Sequence, residues 1–487
     1  MTRARGLLPS LLGESAVYGI GGVANQALNI ILVPIYARQL EASGYGVVAV
    51  INATLSLASM IATLALPQAF FRSYLKEAEG DRERAHVLAV TAALRLVASL
   101  LFLGVFSLAA IPITLLVFDG SLGDLPLIAL IGPIVFFDTL NSIPLSFLRA
   151  QRRPTPYVAI TFTRAILGSV LIIVLVVGFD LGPLGVVLGS TGSAIVASLM
   201  GIRALAGSHR LRLAWDSALI RHMLAFSLPL VPASVAAWGM NLSDRYVVRA
   251  VDGFAAAGVY SAGYTAGLVI TAVAVAPFTL AWGAAYWEIA KSDDARRVIS
   301  RVLTAFVVVA TFAAVGLGSI GTDAIRILLG DQFEAGRFVV PFSAFSSVLY
   351  GVYTILTTGL NLESQTRWLP FTMAAAALGN LGLNLALVPP LGFMGAAVAS
   401  IVSYAQLAIT SGWISQRFYP VAWDYPRVLG AGLIGTALTA AALLGPDVVV
   451  WRLACIVAYP VLVVALGIVR RDELRLAATL VSRRRAR

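Results

Sequence analysis

Leu88-Ala-Val-Thr-Ala-Ala-Leu-Arg95-Leu-Val-Ala-Ser-Leu-Leu-Phe-Leu-Gly-Val-Phe-Ser-Leu-Ala-Ala-Ile-Pro-Ile-Thr-Leu115 runs for 28 residues with a single charge. As a helix rising about 1.5 Å per residue it is about 42 Å long, more than the roughly 30 Å of a bilayer's hydrocarbon core. The same pattern recurs along the whole chain of 487 residues, of which 59% are hydrophobic and 12% charged, with a mean hydropathy of +0.88. Soluble domains carry roughly 25% charged residues, so a water-facing surface could not be covered here. The composition therefore predicts an all-α integral membrane protein.

Fourteen spans are expected. Six fall in the first half, at 13–36, 46–68, 88–115, 126–148, 158–178 and 185–204, and six follow at 222–243, 257–280, 300–320, 338–360, 369–388 and 394–415. Two more lie at 428–445 and 449–469. The net charge of +11 sits in the short gaps between apolar runs and not on one face or arm, so it does not indicate nucleic acid. With the N-terminus inside, the inner segments hold about 27 of the 35 basic residues. The outer loops hold Arg38, Arg245, Arg249, Arg326, Arg337 and Arg452. Both termini are thus expected in the cytoplasm, with the protein in the plasma (inner) membrane. Arg3 and Arg5 precede an apolar stretch as in a signal peptide, but that stretch is long and carries Asn25, Gln26 and Asn29, which predicts a retained first helix. The lone cysteine, Cys455, leaves no intrachain disulfide to infer.

A repeat is visible. Tyr74, Ala78, Asp81 and Arg84 recur as Tyr286, Ala290, Asp293 and Arg296, and Leu181, Gly182, Gly185 and Ser190 recur as Leu391, Gly392, Gly395 and Ser400. A period of six spans gives two units of like orientation, related about the membrane normal, with substrate in a cleft between them. The expected organisation is an N-terminal lobe over 11–206, a C-terminal lobe over 222–416, two extra helices over 428–469 and a basic cytoplasmic tail over 470–487.

Charges within spans are the costliest residues, about 2.5 to 3.5 kcal/mol each at a helix centre, and need a reason to stay. Asp138, in Val135-Phe-Phe-Asp138-Thr-Leu-Asn141, lies nearest mid-depth, and Arg95 and Arg164 lie in the same inner half of the first lobe. One reading is a cationic vestibule for a lipid diphosphate, with Asp138 as counter-ion or cation site; the other has the arginines snorkelling to the interface and Asp138 in an ion pair. Asn25, Gln26 and Asn29, together with Asn141, Asn380 and Asn384, add amides that suit either sugar hydroxyls in a wet cavity or the joining of helices. No catalytic or metal site is expected: His86, His209 and His222 all fall near the inner membrane edge, and neither a phosphate-binding GxxxxGK[ST] loop nor an HExxH helix occurs.

Leu228-Pro-Leu-Val-Pro232-Ala-Ser-Val-Ala-Ala-Trp238-Gly-Met-Asn241-Leu-Ser-Asp244-Arg245-Tyr246, followed by Gly258-Val-Tyr260-Ser-Ala-Gly-Tyr264, resembles the seventh and eighth helices of the polysaccharide flippase (Wzx-like) family. Pro34-Ile-Tyr36-Ala-Arg38-Gln-Leu40 with Gly44-Tyr45-Gly46, and Arg149-Ala-Gln151-Arg-Arg153, resemble that family's opening and its loop after helix four. The resemblance implies the multidrug, oligosaccharidyl-lipid and polysaccharide (MOP) exporter superfamily, a MATE-like fold and a lipid-linked oligosaccharide as substrate. It also implies membrane lipids and glycan polymerase or export proteins as partners, no cofactor, and an H+ or Na+ as possible coupling cation. Arg38, Asp244 and Arg245 match family positions, the last two also readable as an exposed or structural ion pair that orders an outer loop. The rival functions are a lipid II flippase, a drug exporter of the MATE type, and, in another class, a membrane glycosyltransferase or polymerase. The short outer loops speak against the last.

Overall fold

The computed structural model describes residues 34–35, 37–208 and 213–469. The expected span at 13–36, all but two of its residues, and the basic tail at 470–487 lie outside them, as do Asn25, Gln26 and Asn29. Every regular element among the described residues is a helix. Eleven segments there are long and apolar enough to cross a membrane, and Val449–Ala465 is a shorter apolar helix. One of the eleven, Ser217–Ile289, runs for 73 residues, about 110 Å if straight and so several times a bilayer core. It is interrupted by a 3-10 turn at Leu228–Leu230, by Gly253 at φ 81° and by a π-turn at Thr271–Val275.

The chain forms two compact units. The first comprises the described residues up to Trp238 together with Gly253–Gly258. Its helices are α1 (Ala37–Glu77), α2 (Asp81–Val117), α3 (Leu125–Ala150), α4 (Pro154–Gly178), α5 (Gly182–Ser208), α6 (Ser217–Ser227) and the start of α7 (Val231–Leu242). Its core gathers Phe70, Tyr74, Ile143 and Phe147, with Tyr74 stacked on Phe70 at 5.0 Å and edge-on to Phe147 at 6.1 Å.

The second unit comprises Gly239–Asp252 and the described residues from Val259 onward. It holds most of α8 (Asp244–Gly267), then α9 (Ala276–Ile289), α10 (Ala295–Leu329), α11 (Val339–Leu356), α12 (Trp368–Leu391), α13 (Phe393–Phe418), α14 (Tyr425–Leu444) and α15 (Val449–Ala465). Trp282, Phe306, Phe345 and Tyr459 anchor its core.

The two copies of the Leu-Gly repeat fold alike. Gly182 and Gly392 take φ 56° and 59° at the turns that open α5 and α13, a left-handed conformation that costs glycine little. Three residues on, a side chain at Gly185 or Gly395 would collide with the backbone of the preceding helix, α4 or α12, within 3.0 Å in both cases. Small residues at these points let the helices cross closely.

Several expected outer loops are helical instead. Residues 37–45 belong to α1, where a Cβ on Gly46 would strike Phe254 O at 1.8 Å and one on Gly258 would strike Ala42 O at 2.0 Å. That close approach carries the helix through the stretch read as a loop. Arg245 and Arg249 lie on α8, Arg326 near the end of α10, and Arg337 on a 3-10 turn at Asp331–Phe338. Arg452 lies on α15, buried against Asp323 at 2.5 Å and also paired with Asp447. Carboxylate partners within the fold let Arg245, Arg337 and Arg452 stay on helices without reaching for water.

Candidate functional site

Asp138 stands near the middle of α3, and Arg164 faces it from α4. Arg164 Nε donates to Asp138 Oδ1 at 3.0 Å and Nη2 to Oδ2 at 3.0 Å, a two-pronged pair. Its remaining nitrogen, Nη1, donates to Ser190 O at 3.2 Å and to Ser193 Oγ on α5. The guanidinium is thus oriented by three helices. The side chains are 35% and 28% exposed, which at mid-span is a large fraction for charged groups. Facing hydrocarbon would be costly, whereas a water-filled cavity accommodates a charged pair.

Close by in sequence, Asn141 is buried, with Oδ1 against the position where Gly201 of α5 lacks a side chain. A larger residue at 201 would displace that amide.

Arg95 is built into the fold and does not join the pair. It is 1% exposed, and its Nη1 and Nη2 donate to Ala62 O at 2.8 Å and Thr63 O at 2.7 Å. There α1 breaks: Leu64 and Ala65 take φ 49° and 50°, and the helix restarts at Leu66 with Pro67 in its first turn. A broken helix leaves carbonyls without intrahelical donors, and in a membrane they need a partner from the protein. Arg95 supplies one, so the expected diphosphate vestibule loses one of its two arginines.

In the second unit Asp244 and Arg245 are neither exposed nor in a loop. Arg245 Nη1 donates to Asp244 Oδ1 at 2.7 Å and to Asn241 O at 2.6 Å, and its backbone amide donates to Asp244 Oδ1 at 2.9 Å. Tyr260 OH donates to Asp244 Oδ2. The guanidinium lies over the Tyr264 ring at 5.0 Å, and Tyr404 OH donates to Asn241 Oδ1 at 2.8 Å. Sequence reasoning gave Tyr260, Tyr264 and Tyr404 no role. The signal that could have found the first two is their i, i+4 spacing, which places both hydroxyls on one face.

Asn380 and Asn384, four residues apart on α12, share a face, and that face is buried. Asn384 Nδ2 donates to Asn380 Oδ1 at 3.0 Å and to its backbone oxygen at 2.9 Å. They link to one another within α12 and are not open to a sugar. Arg38 is exposed on α1. Among the described residues no cluster of three His, Cys, Asp or Glu side chains is arranged to hold a metal ion.

Comparison with solved structures gives the same fold at low identity. A lipid II flippase MurJ in an inward closed conformation matches with a TM-score of 0.72 and 16% identity, over 94% of this chain and 100% of that one. An inward-facing multidrug resistance MATE family transporter of the MOP superfamily matches with a TM-score of 0.61 and 16% identity, over 80% and 94%. A MATE in complex with MaD3S gives 0.56 and 14%, over 84% and 95%. A search of curated proteins finds no significant match. The family model described as polysaccharide biosynthesis protein matches residues 11–282, more than half of the 487. The chain therefore belongs to the polysaccharide biosynthesis protein family.

Proposed function

We propose that the protein is a flippase that moves a polyprenyl-diphosphate-linked oligosaccharide across the plasma membrane by alternating access, for cell-surface polysaccharide biosynthesis. The observation that carries this reading is the Asp138–Arg164 pair: a partly exposed guanidinium fork at mid-span, in a chain of a polysaccharide biosynthesis family. A fork that fits a carboxylate also fits a phosphate, so the substrate's diphosphate can exchange with Asp138 for Arg164. Ser190 and Ser193 keep the guanidinium oriented during the exchange. Asp138, once released, is a carboxylate available to a coupling H+ or Na+. A glycan polymerase or export protein would act on the translocated product.

The test is movement of lipid-linked glycan in vesicles loaded with purified variants. Arg164→Ala is expected to slow transport by about tenfold or more, as loss of a charged hydrogen bond worth about 1.5 to 3 kcal/mol implies. Arg164→Lys should be milder, since charge is kept while the fork is lost. Asp138→Asn should also slow transport, at normal abundance. Wild-type rates in all three at matched protein levels would overturn the reading, and transport of lipid II in place of the glycan would reassign the substrate.

A further inference from the structure

The second unit holds a basic pocket. It has a volume of about 900 Å³ and lies between the start of α10, the start of α14 and the connector Pro420–Asp424. Arg296, Arg297, Arg301 and Arg427 line it, against one lining carboxylate, Asp424.

That carboxylate is already engaged, since Arg427 Nη1 lies 3.5 Å from Asp424 and Arg427 Nε donates to Ile468 O at 2.5 Å. Ser300 Oγ donates to Ala422 O at 2.8 Å, which ties α10 to the connector and fixes the pocket's shape. Arg296 lies over the Tyr419 ring at 5.0 Å. Among the described residues no carboxylate pairs with Arg296, Arg297 or Arg301, all of which are exposed.

Arg297 and Arg301 are like charges at i, i+4, and Arg296 and Arg297 stand in the first turn of α10, where the helix dipole disfavours cations and Asp293 and Asp294, just before the helix, act against that. An anion in the pocket would relieve both penalties. The pocket's level along the helices narrows the choice of anion. Trp423 lines it, and on α13 the exposed Trp413 lies under Arg417 at 3.7 Å, a tryptophan and arginine pairing typical of the head-group layer. The volume is that of a site for a whole small ligand, more than a free phosphate fills. Basic pockets between membrane helices suit anionic head groups.

We propose that this pocket seats the phosphate head group of an anionic membrane phospholipid, held by Arg296, Arg297 and Arg301 of α10. The site is separate from the Asp138–Arg164 pair and its occupant is a resident lipid, not the transported glycan.

The experiment measures thermal unfolding of the purified full chain in maltoside micelles doped with phosphatidylglycerol, with phosphatidylcholine, or with inorganic pyrophosphate. Phosphatidylglycerol should raise the unfolding temperature in a saturable manner, because a ligand that binds only the folded state stabilises it by mass action. The double variant Arg297→Gln, Arg301→Gln should fold and bind phosphatidylglycerol at least tenfold more weakly. Arg297→Lys, Arg301→Lys should fall between it and the wild type. Arg82→Gln, which removes an exposed basic residue of the first unit, should respond as the wild type does. An equal response to phosphatidylcholine, an equal affinity for pyrophosphate, or undiminished binding in the glutamine double variant would overturn the assignment.

Discussion

The Asp138–Arg164 pair of the first unit and the Asp244–Arg245 pair of the second differ mainly in burial. In Asp138–Arg164 the side chains are 35% and 28% exposed; in Asp244–Arg245 they are 1% and 6% exposed. Both arginines are engaged, but with different neighbours. Arg164 draws on a carboxylate and two serines, whereas Arg245 and its carboxylate are enclosed by tyrosines and a backbone carbonyl. In the proposed function the first pair exchanges a partner with an incoming anion, whereas the second is enclosed. On that reading identical charges serve binding where they are open and structure where they are closed.

The largest effect should come from breaking the closed pair. Asp244→Asn or Arg245→Met leaves an uncompensated charge among aromatic rings, a loss of about 3 to 5 kcal/mol for a buried pair. Membrane abundance and resistance to detergent unfolding should collapse, whereas Asp138→Asn should leave both near wild type. Equal abundance of Asp244→Asn and Asp138→Asn would erase the distinction.

A smaller effect is expected at Arg95. Arg95→Met keeps the bulk of the side chain but strips donors from Ala62 O and Thr63 O. Each buried carbonyl left unpaired costs about 1 to 3 kcal/mol. Stability should therefore drop while the transport rate per folded molecule holds. A slowed rate at unchanged stability would return Arg95 to the substrate path beside Arg164.

These distinctions mark what the sequence can reveal. The all-helical, membrane-spanning character, the place of Asp138 near the middle of α3 and the cost of Arg164 are properties of one helix at a time, and they were legible. That Asp138 and Arg164 meet depends on how α3 packs against α4, which no local pattern encodes. Pro67, which has no N–H to offer Thr63 O, signals the gap in α1, but that Arg95 fills it depends on how α2 packs against α1. Asn241-Leu-Ser-Asp244-Arg245 has the polarity of a loop and becomes interior only because Tyr260, Tyr264 and Tyr404 close over it, the last from α13. The basic pocket is assembled from two stretches far apart in the chain, each resembling an ordinary positive edge of a span.

The smallest effect should come from a third pair, Asp216 with His86, which lies at the ends of helices and not within them. Asp216 Oδ1 accepts from the amides of Ala218 at 2.9 Å and Leu219 at 3.1 Å, capping α6, while Oδ2 lies 3.1 Å from His86 Nε2. His86 beside it, and then the Leu219 amide, hold its carboxyl below the usual aspartate range. A carboxyl whose value is lowered by folding adds stability above its unfolded value, about 3.9 for aspartate, and loses it as pH falls through the lower folded value. Asp216→Ala should therefore lower the unfolding temperature at neutral pH by less than Arg95→Met does. The gap from wild type should close as the medium is acidified below the ordinary aspartate range. Asp216→Asn keeps an acceptor for the cap and should lose only part of the gap. A gap that stays constant on acidification would mean that the cap alone matters and that the charge at this open site contributes nothing.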